Sequence, residues 1–394
     1  MSNVSSSNGL EKYPKLRFKG FSDPWSNISF GELFTFLPNN TLSRAELNYE
    51  SGEYQNVHYG DVLIKFGPVL DAATDVLPFI TEYNDKNAHK QLLQSGDVII
   101  ADTAEDEAVG KATEIINVAT RKVVSGLHTI ACRPRVEMTP TYLGFYINSE
   151  IYHQQLYSLM QGVKVLSISK SNIEGTTLRY PTEAEQQKIC ALLNLIELKI
   201  VKQKKLIELL KKYKRGLLKQ VFNENCTWDE VPLGKIATIY QPQTISSEQL
   251  VENGKYPVYG ANGQIGWYND FNHDSEQIAI CCRGASCGTV NYIPAYSWIT
   301  GNAMVINIAD SIILKKFVYH QLCSQNLSYM ISGSGQPQIV RTPCVEHKIF
   351  VPTSEVQAKI TALFDLLDQK IAIQEKVLDT LIITKKGYLQ KLFV

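Results

Sequence analysis

The sequence predicts an α+β fold of two globular domains, each followed by a long helix. Three observations predict it. Residues 181–222 align with residues 352–393 without a gap, and 17 of the 42 positions are identical. Each copy carries a heptad pattern of apolar residues. Each copy is also preceded by a region of short strand-like runs and glycine-rich turns. A repeat of this kind dictates architecture before any other feature. A chain built as two similar halves does something twice, at a fixed separation.

Length and composition set the bounds. At 394 residues the chain is expected to hold two or three domains. A hydrophobic content of 44% is ample for cores, so disorder is expected only in the tail MSNVSSSNG. Lys+Arg and Asp+Glu number 39 each, so the global basic excess common in nucleic-acid binders is missing. The charge is uneven, however. Segment 181–222 has ten basic residues against four acidic, and 352–393 has six against five. The first helix is therefore a basic stripe. The N-terminus is polar, and no apolar run approaches the ~18 residues that span a bilayer. With eight cysteines, the chain reads as a cytoplasmic protein with reduced thiols and no membrane partner. Cys281-Cys282-x4-Cys287 lacks the paired spacing of a zinc site and reads as small buried hydrophobes in a strand-turn.

The elements follow in order: a tail (1–17), a first globular domain (18–180), a first long helix (181–222), a second globular domain (223–351) and a second long helix (352–394). In the first domain, Gly96–Ile100 reads as a turn and buried strand. Asp102, Glu105, Asp106 and Glu107 then form an acidic, solvated loop. Strands are expected at Ile115–Val118 and Leu127–Cys132, with His128 a core or turn histidine. In the second domain, 256–271 and 278–293 read as hairpins, with Tyr259 and Trp267 in the core. The two domains echo each other at both ends. Trp25-x5-Gly31-x-Leu33 matches Trp228-x5-Gly234-x-Ile236 at an offset of 203, and Gln161-Gly162-x4-Ser167-Ile168 matches Ser332-Gly333-x4-Gln338-Ile339 at an offset of 171. The helices thus hold a common frame, while the globular parts have diverged to recognise different things.

Each helix opens with a capping signal after a proline, Pro181-Thr182-x-x-Glu185 and Pro352-Thr353-Ser354-x-x-Gln357. A 4,3,4,3 spacing follows. In the first copy the seam runs through Ile189, Leu193, Ile196, Ile200, Gln203, Ile207, Leu210, Lys214, Leu217 and Val221. In the second it runs through Ile360, Phe364, Leu367, Ile371, Gln374, Leu378, Leu381, Lys385, Tyr388 and Leu392. This is a coiled-coil seam of five heptads and about 60 Å. Its polar interruptions coincide, Gln203 with Gln374 and Lys214 with Lys385, which predicts that the two helices pair with each other. Leu192, Leu195, Leu206 and Leu209 widen the stripe and predict further packing by a partner's helices.

No phosphate-binding loop, metalloprotease motif, nucleophile elbow or methyltransferase Asn-Pro-Pro-aromatic motif occurs, and the seven histidines are scattered. The polar residues suited to base edges are Asn262, Gln264, Arg283, Ser286, Gln338 and Arg341 in the second half. In the first half the candidates are Lys65, Lys111, Arg121, Lys122, Lys164 and Lys170. The helix face Lys202, Lys204, Lys205, Lys211, Lys212 and Arg215 could meet phosphates, a partner or solvent.

Taken together, these pieces resemble the specificity subunit of type I restriction–modification systems over essentially the whole chain. The residues carrying the resemblance are Tyr13-Pro14-Lys15-Leu16-Arg17-Phe18-x2-Phe21-x3-Trp25, the helix starts Pro181–Ile189 and Pro352–Ile360, YPVYGANGQIGW (256–267) and Ser332–Ile339. The resemblance implies two target-recognition domains and two long antiparallel coiled-coil helices. Each domain would read one half of a bipartite, asymmetric site in double-stranded DNA. The helices would set the spacer and dock two modification (methyltransferase) subunits, and the complex would recruit restriction (helicase–nuclease) subunits. It implies no catalytic residue, metal or cofactor in this chain; S-adenosylmethionine, ATP and Mg belong on the partners. Val356 departs from the family's usual glutamate at that helix start. Two other readings stay open: an orphan specificity subunit serving methylation only, and a two-lobed protein-binding scaffold.

Overall fold

The computed structural model describes residues 13–83, 92–223, 227–260, 263–309, 312–333 and 335–394. Candidate Asn262 and most of the N-terminal tail lie outside them. The chain divides into two units, residues 1–202 with 378–394, and residues 203–377.

The first unit is built on a five-stranded sheet. Its strands are β1 (Phe34–Leu37), β2 (Val69–Asp71), β3 (Val98–Ala101), β4 (Ala112–Ile116) and β5 (Thr129–Pro134), in the order β1-β5-β3-β4-β2. Strand β3 is buried throughout, and its alternate side chains feed two cores, as the period of two demands. Val98 and Ile100 pack with Phe30, Phe34 and Tyr142 on one side. Ile99 and Ala101 pack with Val57, Leu70 and Val123 on the other. A second sheet, from Leu47–Asn48, Tyr54–Val57, Phe79–Ile80 and Lys122–Ser125, belongs to this unit alone. The expected strand at 115–118 ends earlier, at Ile116, because Asn117 adopts φ 55°. The strand expected from Leu127 starts at Thr129, because His128 turns the chain with φ 53°.

The second unit repeats this plan. Strands β6 (Ala237–Tyr240), β7 (Gln277–Cys281), β8 (Val290–Ile293) and β9 (Ala303–Ile308) lie in the order β6-β9-β7-β8, all antiparallel. This order matches β1-β5-β3-β4. Ile278 and Ile280 again face one core and Ala279 the other. A separate hairpin, Tyr256–Gly260 with Gly263–Tyr268, is this unit's own addition. Trp267, expected in the core, is 42% exposed on it, while Tyr259 is half-buried against Ile299 and Val305.

A two-stranded ribbon closes each globular part. Ser26–Ser29 pairs antiparallel with Thr177–Tyr180, and Asp229–Pro232 with Lys348–Val351. The echoed tryptophans sit beside these ribbons. Trp25 meets Phe393 edge-on at 6.5 Å, and Trp228 meets Phe222 at 6.2 Å.

The long helices span Glu183–Val221 and Ser354–Leu392. Within the first unit, Ile189, Leu193, Ile196 and Ile200 are buried, Leu378 and Leu381 are half-buried, and Lys385 forms an ion pair with Glu197. Within the second unit, Ile207, Phe364 and Ile371 are buried, while Leu210, Ile360 and Leu367 are half-buried. There Gln203 Nε2 donates to the Gln374 side-chain and main-chain oxygens, both at 2.8 Å. Lys214 reaches both Asp368 carboxylate oxygens, at 2.5 and 2.7 Å, and Lys211 lies 2.7 Å from Glu375. From Gln203–Gln374 to Lys214–Asp368 the numbers rise on one helix and fall on the other, so the pairing is antiparallel.

Both helix starts use the same glutamine. Gln186 Nε2 donates to the Pro181 carbonyl at 3.0 Å, and its Oε1 accepts from Thr139 N–H at 3.0 Å. Gln357 does the same with the Pro352 carbonyl (2.9 Å) and Leu314 N–H (3.0 Å). Glu185, expected to close a capping box, instead holds the Arg17 guanidinium through two 2.8 Å bonds. Arg17 and the Asp23 carbonyl meet at 2.7 Å, so this pair also fixes the N-terminal segment. Among the described residues, no helix is long and apolar enough to cross a membrane.

Candidate nucleic-acid interface

In each unit, the central strand runs on into a polar loop that is held by backbone bonds. Beyond β3, Asp102 N–H donates to the His128 carbonyl at 3.1 Å, and Ile168 N–H donates to the Asp102 carbonyl at 2.9 Å. Thr103–Ala104 pairs antiparallel with Leu166–Ser167. The Asp102 carboxylate accepts from the Thr103 hydroxyl at 2.7 Å and lies 3.3 Å from His128 Nδ1. Tyr59 presents its ring edge-on to His128 at 5.3 Å. The facing hairpin turns at Gly162, where φ is 119° and an added Cβ would lie 1.9 Å from the Val165 carbonyl oxygen; only glycine fits there. Its tip carries Lys164 beside Val163, which is 99% exposed.

Beyond β7, Cys282 N–H donates to the Asn302 carbonyl at 3.0 Å, and Ile339 N–H donates to the Cys282 carbonyl at 3.0 Å. Arg283 lies opposite Gln338 in an antiparallel bridge. The hairpin turns at Gly333, with φ 94°. Cys281 Sγ is 3.2 Å from the Ser286 hydroxyl, and Gln241 Nε2 donates to Cys282 Sγ at 3.1 Å. Burial raises the pKa of the Cys282 and Cys287 thiols, so both are held protonated. Among the described residues, no group of three or more His, Cys, Asp or Glu side chains could hold a metal ion.

The structure gathers three of the sequence candidates, Arg283, Ser286 and Gln338, at this second sheet end. Arg341 is tied by its Nε to the Ile239 carbonyl at 2.7 Å. Gln264 lies on the separate hairpin, with Nε2 3.4 Å from the Gly266 carbonyl. In the first unit, Lys164 alone of the candidates sits on the hairpin facing the β3 end. Lys65 is bound to the Val76 carbonyl and lies over the Tyr49 ring. Lys111 is half-buried and donates to the Leu63 carbonyl at 2.5 Å. Arg121 meets the Ala73 carbonyl at 3.3 Å, Lys122 pairs with Glu53, and Lys170 lies 5.8 Å over Phe36. Residue type alone missed Thr103, His128, Ser167 and Asn302. The repeated hairpin motif, Gln161–Ile168 against Ser332–Ile339, contains only Ser167 of these; Thr103, His128 and Asn302 are brought to the same sheet ends by main-chain bonds.

The helices offer a second surface. Leu195, Leu198, Val201, Ile382 and Ile383 are exposed in the first unit; Leu206, Leu209, Tyr213, Leu363, Leu366 and Ile373 are exposed in the second. Several of these share one helical face, Leu195 and Leu198 in the first unit and Leu206, Leu209 and Tyr213 in the second.

Known proteins align with these features. The family model for the type I restriction modification DNA specificity domain matches residues 225–381. The EcoprrI specificity subunit of Escherichia coli is 32% identical over 140 residues, covering 34% of this chain and 35% of that protein. A type I specificity subunit of Mycoplasma genitalium is 28% identical over 171 residues, covering 42% of this chain and 44% of that protein. The chain thus spans less than half the length of these two relatives. A protein named as the MjaX specificity subunit of Methanocaldococcus jannaschii is 21% identical, covering 80% of this chain and 82% of its own length. In fold, the chain resembles the crystal structure of a type I restriction–modification S subunit from M. genitalium, with TM-score 0.61, 19% identity, and coverage of 97% and 99% of the two chains. The family model over residues 225–381 and these relatives all name type I restriction–modification specificity subunits, and the chain shares its fold with a solved one.

Proposed function

We propose that this chain is the DNA-reading subunit of a type I restriction–modification complex and is itself non-catalytic. Each unit reads one half of a bipartite, asymmetric site in double-stranded DNA. The long helices set the spacer and dock two modification subunits, and restriction subunits join the assembly. Methyl transfer from S-adenosylmethionine and ATP- and Mg-dependent cleavage belong to those partners.

One observation carries this reading: the same strand order and loop bonding occur twice, with different polar side chains at matching places. A repeated frame with changed side chains suits recognition of two different half-sites. The unpaired apolar stripe along the helices supports partner docking. Net charge is zero, so DNA affinity is expected to rest largely on the assembled complex.

The test is methylation mapping by single-molecule sequencing in cells expressing the chain with its modification subunit. A split modified motif that vanishes when the chain is deleted supports the reading. A stable complex that modifies no such motif overturns it and favours a protein-binding scaffold.

A further inference from the structure

Two sets of three side chains occupy matching places in the two units. The match is defined by backbone bonds rather than by sequence. Asp102 and Cys282 each donate N–H to the residue just before the neighbouring strand, His128 and Asn302, at 3.1 and 3.0 Å. Each then accepts N–H from a hairpin isoleucine, Ile168 or Ile339, at 2.9 and 3.0 Å. The following residues, Thr103 and Arg283, pair with Ser167 and Gln338 in the same register. Thr103, His128 and Ser167 in the first unit therefore correspond to Arg283, Asn302 and Gln338 in the second.

All six are polar, and all but the half-buried Thr103 are exposed. Every backbone bond that builds this platform is independent of side-chain identity, so these positions can change while the sheet stays intact. His128 even holds φ 53°, a conformation uncommon for a residue with a side chain, and that turn is fixed by its neighbours. Arg283 has no ion-pair partner among the described residues. In the second unit the three side chains are arginine, asparagine and glutamine, the types that bond guanine and adenine edges in pairs.

We infer that these two triplets are the specificity-determining side chains, each set reading bases in its own half of the target. This rests on the DNA-reading function proposed above. Arg283 takes a guanine and Gln338 an adenine, so the half-site read by the second unit contains both purines at neighbouring positions.

The test uses the full chain with its modification subunit, and maps methylated motifs for the wild type and for Arg283→Ala, Gln338→Ala and His128→Ala. The first two are expected to relax one position each within the same half of the motif, leaving the other half and the spacer unchanged. His128→Ala is expected to relax the opposite half. Preference for the cognate base over a mismatch should fall about 5- to 150-fold per lost contact. Unchanged motifs, or Arg283 and Gln338 effects in different halves, overturn the inference. Should Arg283→Ala methylate nothing, Arg283→Gln is expected to restore methylation with adenine replacing guanine at that position. An Arg283→Gln chain that enters the complex yet methylates nothing shows a structural role and also overturns it. A wild-type complex with no split motif fails the underlying DNA-reading function instead.

Discussion

Removing Gln357 tests how a long helix is fixed to its globular unit. Its side chain is fully buried, donates to the Pro352 carbonyl at 2.9 Å and accepts from Leu314 N–H at 3.0 Å. Gln357→Ala leaves both partners inside the protein without a bond. Each such group costs about 1–3 kcal/mol, so the second unit should lose about 2–6 kcal/mol. At about 2–4 °C per kcal/mol for a unit of this size, its Tm should fall about 4–24 °C. Thermal unfolding gives the shift, and hydrogen-exchange mass spectrometry assigns it to residues 203–377. Gln357→Glu sharpens the test. Its carboxylate still accepts from Leu314, but now sets lone pairs against the Pro352 carbonyl; protonation restores a donor. The folded-state pKa is thereby raised above the unfolded value of about 4.3. Stability is then present below about pH 4 and lost as pH rises through the raised value. A Tm within about 2 °C of wild type for Gln357→Ala, or a Gln357→Glu deficit that does not grow with pH, refutes the reasoning.

Burial lowers the pKa of His347 to about 4. Its folded value lies below its unfolded one, so second-unit stability is full above about pH 6.5 and falls toward about pH 4, by at most about 3 kcal/mol. Denaturant titrations of wild type and His347→Gln should show a shallower pH slope in the variant; equal slopes refute this. A double-mutant cycle on Lys214 and Asp368 should give a coupling of about 1 kcal/mol, since the ammonium is largely buried and the carboxylate partly exposed. Leu206→Ser with Leu366→Ser should leave the Tm within about 2 °C of wild type while abolishing co-purification with a modification subunit; a large Tm loss would make these positions core instead. A heptad inserted into each long helix, within 199–215 in the first, should lengthen the gap in the methylated motif without altering either half-sequence. Altered half-sequences would show that the helices do more than space.

The helical frame was legible because helix pairing is written in side chains. The seam needs apolar residues at fixed intervals, and Ile189 to Val221 and Ile360 to Leu392 state them. Strand existence was legible in Gly96–Ile100 and 278–293, where glycine turns bracket β-branched runs. Strand ends were harder to read. Asn117 and His128 stop the chain by positive φ without being glycine, and sequence gives little warning of that. The candidate site was read by residue type, which cannot tell an exposed Arg283 from a Lys111 held on the Leu63 carbonyl. What brings Thr103, His128 and Ser167 together is main-chain bonding, to which every residue contributes alike.

The two kinds of bonding also explain why the halves diverged unevenly. In two antiparallel copies of one helix, only the middle position lies opposite its own counterpart; every other position faces a different part of the repeat. Gln203 meets its own counterpart, Gln374, and glutamine suits that place because it both donates and accepts. Lys214 meets Asp368, and Lys385 meets Glu197, which occupies the place in the first copy that Asp368 holds in the second. A change at any of these positions must be answered in the other copy, which ties the two sequences together there. The sheet ends carry no such tie. Their geometry is held by N–H and carbonyl groups, so Thr103 and Arg283 can differ while the strand order stays the same. A scaffold held by side chains and recognition loops held by backbone let the recognised sequence change without disturbing the frame that presents it.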